Sequence, residues 1–369
     1  MRRPKKGSFW PWFFCVVIAM VVGWYLFTWQ TAIVETVMGP LPTPTPTEIS
    51  PMERVGVGDH FFAEGRYDDA IAEYRRATEV DPSLDVAFAR WALVMTLRRR
   101  GIEAVDLARR AVELNAESAE NQAILCKALD WNGQIAEAIE ACLKATRLDP
   151  DYAMGHAFLA EAYGDYGRVG DARAAIERAV ELDGANPFVR RNLGHVYEMT
   201  GRYQDAIYEY ESALEMNPNL AFIYHDLGRN YRVLGNMDAA NRSFQRAIEV
   251  DPRDPYAYDQ LGLTYYVQQM HELAMTQFRK AIEVDPEYAM AYGRLGTTYY
   301  VRRNYEEAIP NLHRAIELGA HTEDLCYILG FAYAYTGRCD EAIPWFEESL
   351  ALNPNSTVAQ QGMAYCQAQ

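Results

Sequence analysis

The side chains able to do chemistry are spread along this chain without forming a recognisable catalytic set. Its seven histidines stand far apart in sequence, and none belongs to an HExxH zinc motif. The chain also lacks a Gly-Lys-Ser/Thr phosphate-binding turn and a GxSxG nucleophile turn. Most of its 51 Asp and Glu residues stand at turn exits and on polar helix faces, where carboxylates are normally solvated. We therefore predict no enzyme activity, no bound metal and no cofactor.

The charge balance argues against nucleic acid as a partner. Lys and Arg total 35 against 51 acidic residues, which gives a formal net charge of −16. Nucleic-acid binding draws mainly on cations that neutralise phosphates, and a chain this acidic repels them. The six cysteines include no CxxC pair and no Cys/His cluster at zinc spacing.

Tyrosine recurs with a fixed period, which indicates packing rather than chemistry. One series is spaced by 34 residues: Tyr197, Tyr231, Tyr265, Tyr299 and Tyr333. Asp-Pro and Asn-Pro pairs follow the same register. Each period holds two apolar helical stretches joined by a short turn, often with Gly, and Asp-Pro ends the second stretch. The register predicts nine units: 51–84, 85–118, 119–152, 153–186, 187–220, 221–254, 255–288, 289–322 and 323–356.

The residue types at corresponding positions of these units resemble those of the tetratricopeptide repeat (TPR). The seventh unit carries the signature of that family at Tyr258, Leu261, Gly262, Tyr265, Ala274, Phe278, Ala281 and Pro286. The resemblance implies an all-α, right-handed superhelical solenoid of antiparallel helix pairs. Residues 357–369 are expected to form a capping helix over the last unit. The implied function is the binding of other proteins.

In this family one stripe of each first helix lines a concave groove that holds peptides or partner helices. Carried over by position, the middle of the groove is basic, with Arg191, His195, His225, Arg229 and Arg232. We hypothesise that the arginines grip an acidic segment of a partner; the alternative is that they neutralise Glu161, Glu198 and Asp226. The far end is aromatic, with Tyr256, Tyr266, Tyr300, Tyr327, Phe331 and Tyr335. These rings either contact a partner or pack on neighbouring first helices.

Two pairs of cysteines fall on facing positions of the predicted helices. They are Cys126 with Cys142, and Cys339 with Cys366 on the capping helix. In an oxidising compartment both pairs could be disulfides. Otherwise they are small buried hydrophobic residues.

The chain begins with a segment that predicts a membrane anchor. Residues 1–8 hold four cations and form a basic tail, and residues 9–29 carry no charge and crowd Trp and Tyr at both ends. A Pro/Thr-rich linker at 30–50 follows. The positive flank predicts that the N-terminus is cytoplasmic and the repeats extracytoplasmic; the alternative is a cytoplasmic repeat domain.

The sequence therefore predicts a non-catalytic, membrane-anchored scaffold that binds partner peptides or helices, acidic ones included, in the TPR groove. One alternative is a substrate-presenting subunit of a separate, glycosyltransferase-like enzyme. Another is direct binding of a glycan or small ligand by the aromatic end.

Overall fold

The computed structural model describes residues 10–38 and 49–369, and within those ranges every regular element is a helix. The helices are α1 (Trp10–Met38), α2 (Pro51–Ala63), α3 (Tyr67–Val80), α4 (Asp85–Leu97), α5 (Gly101–Leu114), α6 (Ala119–Trp131), α7 (Ile135–Leu148), α8 (Ala153–Asp165), α9 (Val169–Asp183), α10 (Pro187–Met199), α11 (Tyr203–Met216), α12 (Ala221–Val233), α13 (Met237–Val250), α14 (Pro255–Val267), α15 (His271–Val284), α16 (Ala289–Val301), α17 (Tyr305–Glu317), α18 (Glu323–Tyr335), α19 (Cys339–Leu352) and α20 (Thr357–Gln367). The described residues divide into two units, one within residues 1–49 and the other at residues 50–369.

The first unit contains α1, which differs in length from the predicted anchor. The helix continues nine residues beyond the predicted end at residue 29, because residues 30–38 contain neither Gly nor Pro, and Gly39-Pro40 come next. Among the residues described, no helix combines the length and the apolar character needed to cross a membrane. The transmembrane assignment therefore stays a prediction. The predicted basic tail (1–8) and residues 39–48 of the predicted linker lie outside the described residues.

In the second unit, helices α2 to α19 pair consecutively into hairpins. Most hairpin turns contain a glycine with positive φ, such as Gly201 and Gly235, both at 74°. Three turns place a longer side chain in this left-handed region, namely Arg99, Gln269 and Arg303. A residue with a Cβ is strained there, so these three turns depart from the usual pattern.

Within each hairpin a small residue faces a large one, as the repeat predicts. A Cβ on Gly262 would lie 2.6 Å from Cε1 of Phe278, and one on Gly228 would lie 2.7 Å from Cζ of Phe244. Both rings are fully buried. The absence of a side chain at these glycines lets the two helices of the hairpin approach closely.

The solenoid coils back on itself so that its beginning contacts its middle. The Tyr67 hydroxyl donates a hydrogen bond to the Asn219 carbonyl oxygen (2.9 Å) and accepts one from the Ala221 N–H (3.2 Å). The guanidinium of Arg98 binds both carboxylate oxygens of Asp251, at 2.9 and 2.7 Å. These partners are more than 150 residues apart in sequence. We call this set of interactions the closure contact; the sequence did not predict it.

Aromatic side chains from first helices meet inside the coil at the same level. Phe188 of α10 stacks on Phe222 of α12 with ring centroids 5.5 Å apart, and on Phe62 of α2 at 6.5 Å. The Trp131 ring meets Phe222 edge-on at 6.3 Å. Because Phe62 and Trp131 of the first and third units meet Phe188 and Phe222 of the fifth and sixth units, the inside of the coil is a hydrophobic core here.

The C-terminal end is covered by α20, which packs against α18 and α19. A disulfide joins Cys339 of α19 to Cys366 of α20, and another joins Cys126 to Cys142 across the third hairpin; in both, the Cα atoms are 5.3 Å apart. Cys326 is a buried free thiol.

Candidate binding surface

The concave side of the solenoid has two parts of different character. Neighbouring first helices contact one another closely along α4, α6, α8 and α10, but only marginally from α12 to α18. The first part, α2 to α13, is closed by the interior aromatic residues and the closure contact. We call the second part, formed by the concave faces of α14, α16 and α18, the open groove.

Arg191 lies inside the closed part and is fully paired there. Only 3% of the residue is exposed. Its Nε donates to Asp226 Oδ2 at 2.6 Å, and its Nη1 donates to Glu161 Oε1. Although burial opposes the charge, Arg191 and the buried Lys127 hold the pKa of Glu161 well below its usual range. In these contacts Arg191 neutralises Glu161 and Asp226, which is the alternative to partner binding that the sequence analysis left open.

The other residues of the predicted basic patch also have internal partners. Arg229 Nη2 lies 3.0 Å from Asp226 Oδ1 and 3.3 Å from Glu198 Oε1. Nη2 of Arg232 donates to the Gln260 side chain at 2.8 Å. His195 Nε2 lies 3.0 Å from Asp165, and His225 Nε2 lies 3.0 Å from Asp254 with the histidine buried. Their role in partner binding stays a prediction, and the geometry favours an internal ionic network.

Asp130 is a member of this network whose carboxylate lacks hydrogen-bond partners. It is buried on α6, and neither carboxylate oxygen has a hydrogen-bond partner in the structure. Burial raises the pKa of Asp130 to about 8, and the neighbouring carboxylates of Glu161 and Asp165 add to the rise. Asp130 is therefore largely protonated at neutral pH, which spares the network one buried negative charge.

The predicted aromatic residues of α16 and α18 form a cluster in the open groove. Tyr335 is exposed and stacks on Phe331 at 5.6 Å and on Tyr300 at 6.3 Å. The Tyr305 ring lies 5.1 Å from Tyr335, and the exposed Tyr365 of α20 meets it edge-on at 5.8 Å. Each ring packs on its neighbours, as one of the two sequence interpretations expects, and still presents an edge or face to solvent, so contact with a partner stays a prediction.

The remaining predicted tyrosines are distributed differently. Tyr266 and Tyr327 are partly exposed on the concave side. Tyr256 instead belongs to the closure, where the guanidinium of Arg99 lies 3.9 Å above its ring centre. In its left-handed backbone conformation, Arg99 thus places its guanidinium on an aromatic ring from another part of the coil.

A pocket of about 280 Å³ opens on the groove between α14, α16 and the start of α18. Its lining is mainly apolar and includes Leu263, Tyr266, Met290, Gly293, Thr297 and Leu325. A Cβ on Gly293 would lie 3.3 Å from Leu325, so a side chain there would take up the space of the pocket. The sequence analysis did not predict this pocket. The sequence does show that Gly293 is the one glycine at its position among the nine first helices.

One ion pair borders this pocket. Arg294 lines it and donates from Nη1 to Oδ2 of the buried Asp259. Burial raises the pKa of Asp259 to about 6, and Arg294 opposes the rise. In residues 10–38 and 49–369 no group of His, Cys, Asp and Glu side chains could hold a metal ion. The pocket and the aromatic cluster suit the binding of apolar and aromatic side chains.

Comparisons with known proteins agree on the repeat. Five sequence models described as the tetratricopeptide or TPR repeat match the chain, and together they cover more than half of it. The matched residues are 58–92, 123–152, 189–253, 225–289, 260–321 and 323–356. No curated protein matches the sequence significantly.

Several solved structures share the fold. The Cut9–Hcn1 hetero-tetramer of the APC/C is 17% identical, with a TM-score of 0.58 over 96% of this chain and 82% of the other. Pseudomonas aeruginosa PilF is 17% identical, with a TM-score of 0.52 over 57% and 96%. A human IFIT1 dimer with PPP-AAAA is 19% identical, with a TM-score of 0.52 over 87% and 76%. At these identities the likeness establishes the fold alone.

Asp130→Asn should stabilise the protein more strongly in alkaline than in acidic solution. The folded protein keeps the Asp130 proton at pH values where the unfolded chain has lost it, so this residue makes the free energy of unfolding fall between about pH 4 and about pH 8. We expect the variant to gain up to about 4 kcal/mol more, relative to wild type, at about pH 9 than at about pH 5, because about three pH units of this fall lie between the two conditions at about 1.4 kcal/mol each.

Denaturant unfolding at both pH values measures this difference. Asp106→Asn, at an exposed position of α5, is the control and should show no such dependence. An equal effect of Asp130→Asn at both pH values would contradict the assignment of the raised pKa.

Proposed function

We propose that this chain, which belongs to the tetratricopeptide-repeat family, is a non-catalytic scaffold that binds an extended segment of another protein in the open groove. The observation that carries the proposal is the contrast between the two parts of the concave side. In α2 to α13 that side is filled by the chain's own aromatic rings and ion pairs. In α14, α16 and α18 it presents a pocket, the exposed Tyr335 and several partly exposed aromatic side chains.

The chemistry of the open groove favours a segment with apolar or aromatic side chains. The pocket offers space for one such side chain between Met290 and Leu325. The cluster around Tyr335 offers ring faces and edges beside it, a surface typical of binding hot spots. Arg294 at the pocket wall is already paired with Asp259, so we assign it a structural rather than a carboxylate-binding role.

Filling the pocket should weaken binding without unfolding the protein. We expect Gly293→Leu to weaken the affinity for groove-binding peptides, selected from a random library with the full-length protein, at least about tenfold, because a leucine occupies the volume meant for the ligand. Titration calorimetry measures the change.

Gly56→Leu is the matched control, since a side chain at Gly56 has open space around it. Tyr335→Ala should weaken the same peptides through loss of the aromatic surface. Peptides that bind Gly293→Leu and Tyr335→Ala as tightly as wild type would exclude the open groove as the site.

We further propose that the protein is anchored in a membrane through residues 9–29, with the repeats on the extracytoplasmic side. The uncharged run with its basic flank supports the anchor. The side chains described between residues 14 and 29 are almost all exposed, and they are mostly apolar. The two disulfides support an oxidising compartment for the repeats.

Protease accessibility decides the orientation. In sealed right-side-out membrane vesicles, added protease should digest the repeats, and alkaline carbonate should leave the protein in the membrane pellet. Protection of the repeats until the vesicles are lysed would place them in the cytoplasm instead. Release by carbonate would reject the anchor.

A further inference from the structure

The closure contact is built around one arginine that joins two carboxylates. Arg98, in the turn of the second hairpin, pairs through Nη1 with Asp68 of the preceding unit. Its Nε and Nη2 bind the two oxygens of Asp251, in the Asp-Pro loop between α13 and α14. The side chain is only 15% exposed, because the loop covers it. One guanidinium thus fastens a hairpin turn to an Asp-Pro loop.

The same arrangement occurs a second time, without the covering loop. Arg302, in the turn of the eighth hairpin, stands 204 residues after Arg98, which is six repeat lengths. Its Nη1 pairs at 2.7 Å with Glu272, which is the positional equivalent of Asp68. The next residue, Arg303, adopts the left-handed conformation (φ 62°) that Arg99 adopts (φ 59°).

The two arrangements differ in how far the arginine is covered. The Arg302 side chain is 39% exposed, and Glu272 is the one carboxylate paired with it among the described residues. The part of the guanidinium that Asp251 covers at Arg98 is therefore exposed to solvent at Arg302.

Exposed apolar side chains lie in and beside the same two hairpin turns as this arginine. Along the turns of the seventh and eighth hairpins, Val267, Met270, Leu273 and Val301 are all exposed. Hairpin turns are normally polar, so four exposed apolar residues in two neighbouring turns, together with this arginine, form a surface suited to contact with a partner. We call residues 267–273 and 301–303 the turn edge.

A loop of the required type is exposed elsewhere on the same chain. Asp149-Pro150, between α7 and α8, stands 102 residues before Asp251-Pro252, which is three repeat lengths. Asp149 and Asp151 are both exposed. Asp151 already pairs with Arg178 at 2.8 Å, so Asp149 is the carboxylate of this loop that can accept a bidentate arginine. Asp251 presents the same Asp-Pro geometry to Arg98.

We propose that the turn edge binds the Asp-Pro loop of residues 149–151 in a second copy of this chain. Arg302 would bind Asp149 of that copy. This contact would correspond to the one between Arg98 and Asp251 within a single chain. Such an interface uses different surfaces on the two copies, so it leaves a free turn edge and a free loop at the ends. Head-to-tail chains of copies then follow. The open groove is not part of this interface.

Charge reversal with complementation tests the proposal. Full-length wild-type protein in detergent micelles should form a concentration-dependent series of oligomers in sedimentation velocity. Arg302→Asp and Asp149→Arg should each weaken association at least about tenfold, because like charges then face each other. An equal mixture of the two variants should regain the oligomer series, because the substituted turn edge of one variant is complementary to the substituted loop of the other, and the two unsubstituted surfaces also match.

Arg246→Asp is the control, because Arg246 is an exposed arginine of α13 that pairs with Glu249 as Arg302 pairs with Glu272. It should associate like wild type. Thermal unfolding of every variant checks that the fold is intact, and Asp149→Arg tests the interface independently if Arg302→Asp fails to fold. A monomeric wild type at every concentration, or oligomers unchanged by both variants, would overturn the proposal.

Discussion

The structure depends on how the side chains of the first helices fill the inside of the coil. Phe62, Phe188 and Phe222 meet there in one stack, although they come from the first, fifth and sixth units. A buried aromatic ring removes a large apolar area from water, so these contacts favour a coil tight enough to bring distant units together. The contact of Arg98 with Asp251 and the hydrogen bonds of Tyr67 then fix the register of the two coil turns.

Because the inside of the coil is filled, the charged side chains around it are buried. Glu161, Arg191 and Asp226 would line a solvated groove in an open solenoid, and here they are buried. Buried charges are tolerated only when they are paired, and each of these three has an oppositely charged partner at hydrogen-bond distance. The same closure leaves the aromatic surface of α16 and α18 as the part of the concave side where we propose that a partner segment binds.

The sequence predicted the parts of this fold that are local to a repeat. The pairing of Gly262 with Phe278 follows from positions within one 34-residue unit, and the neutralisation of Arg191 by Glu161 and Asp226 involves neighbouring units only. The closure contact was not predictable in this way. It depends on the small rotation between successive hairpins, which accumulates over five units and is set by packing rather than by the repeat pattern.

The candidate site was predicted in part for the same reason. Tyr300, Phe331 and Tyr335 lie on the concave side because their repeat positions place them there. The pocket at Gly293 required the relative placement of α14, α16 and α18, which periodicity does not specify. Sequence position thus indicated which residues face inward, and the pitch of the coil determined whether they face solvent or each other.

The most direct test of this account is a double-mutant cycle between Arg98 and Asp251. Equilibrium unfolding of wild type, Arg98→Ala, Asp251→Ala and the double variant gives the coupling free energy of the pair. A closed coil predicts a coupling of about 2 kcal/mol, because the pair is bidentate and mostly shielded from water. Additive effects, with a coupling near zero, would mean that the first hairpins do not contact the sixth unit and that the whole concave side is open.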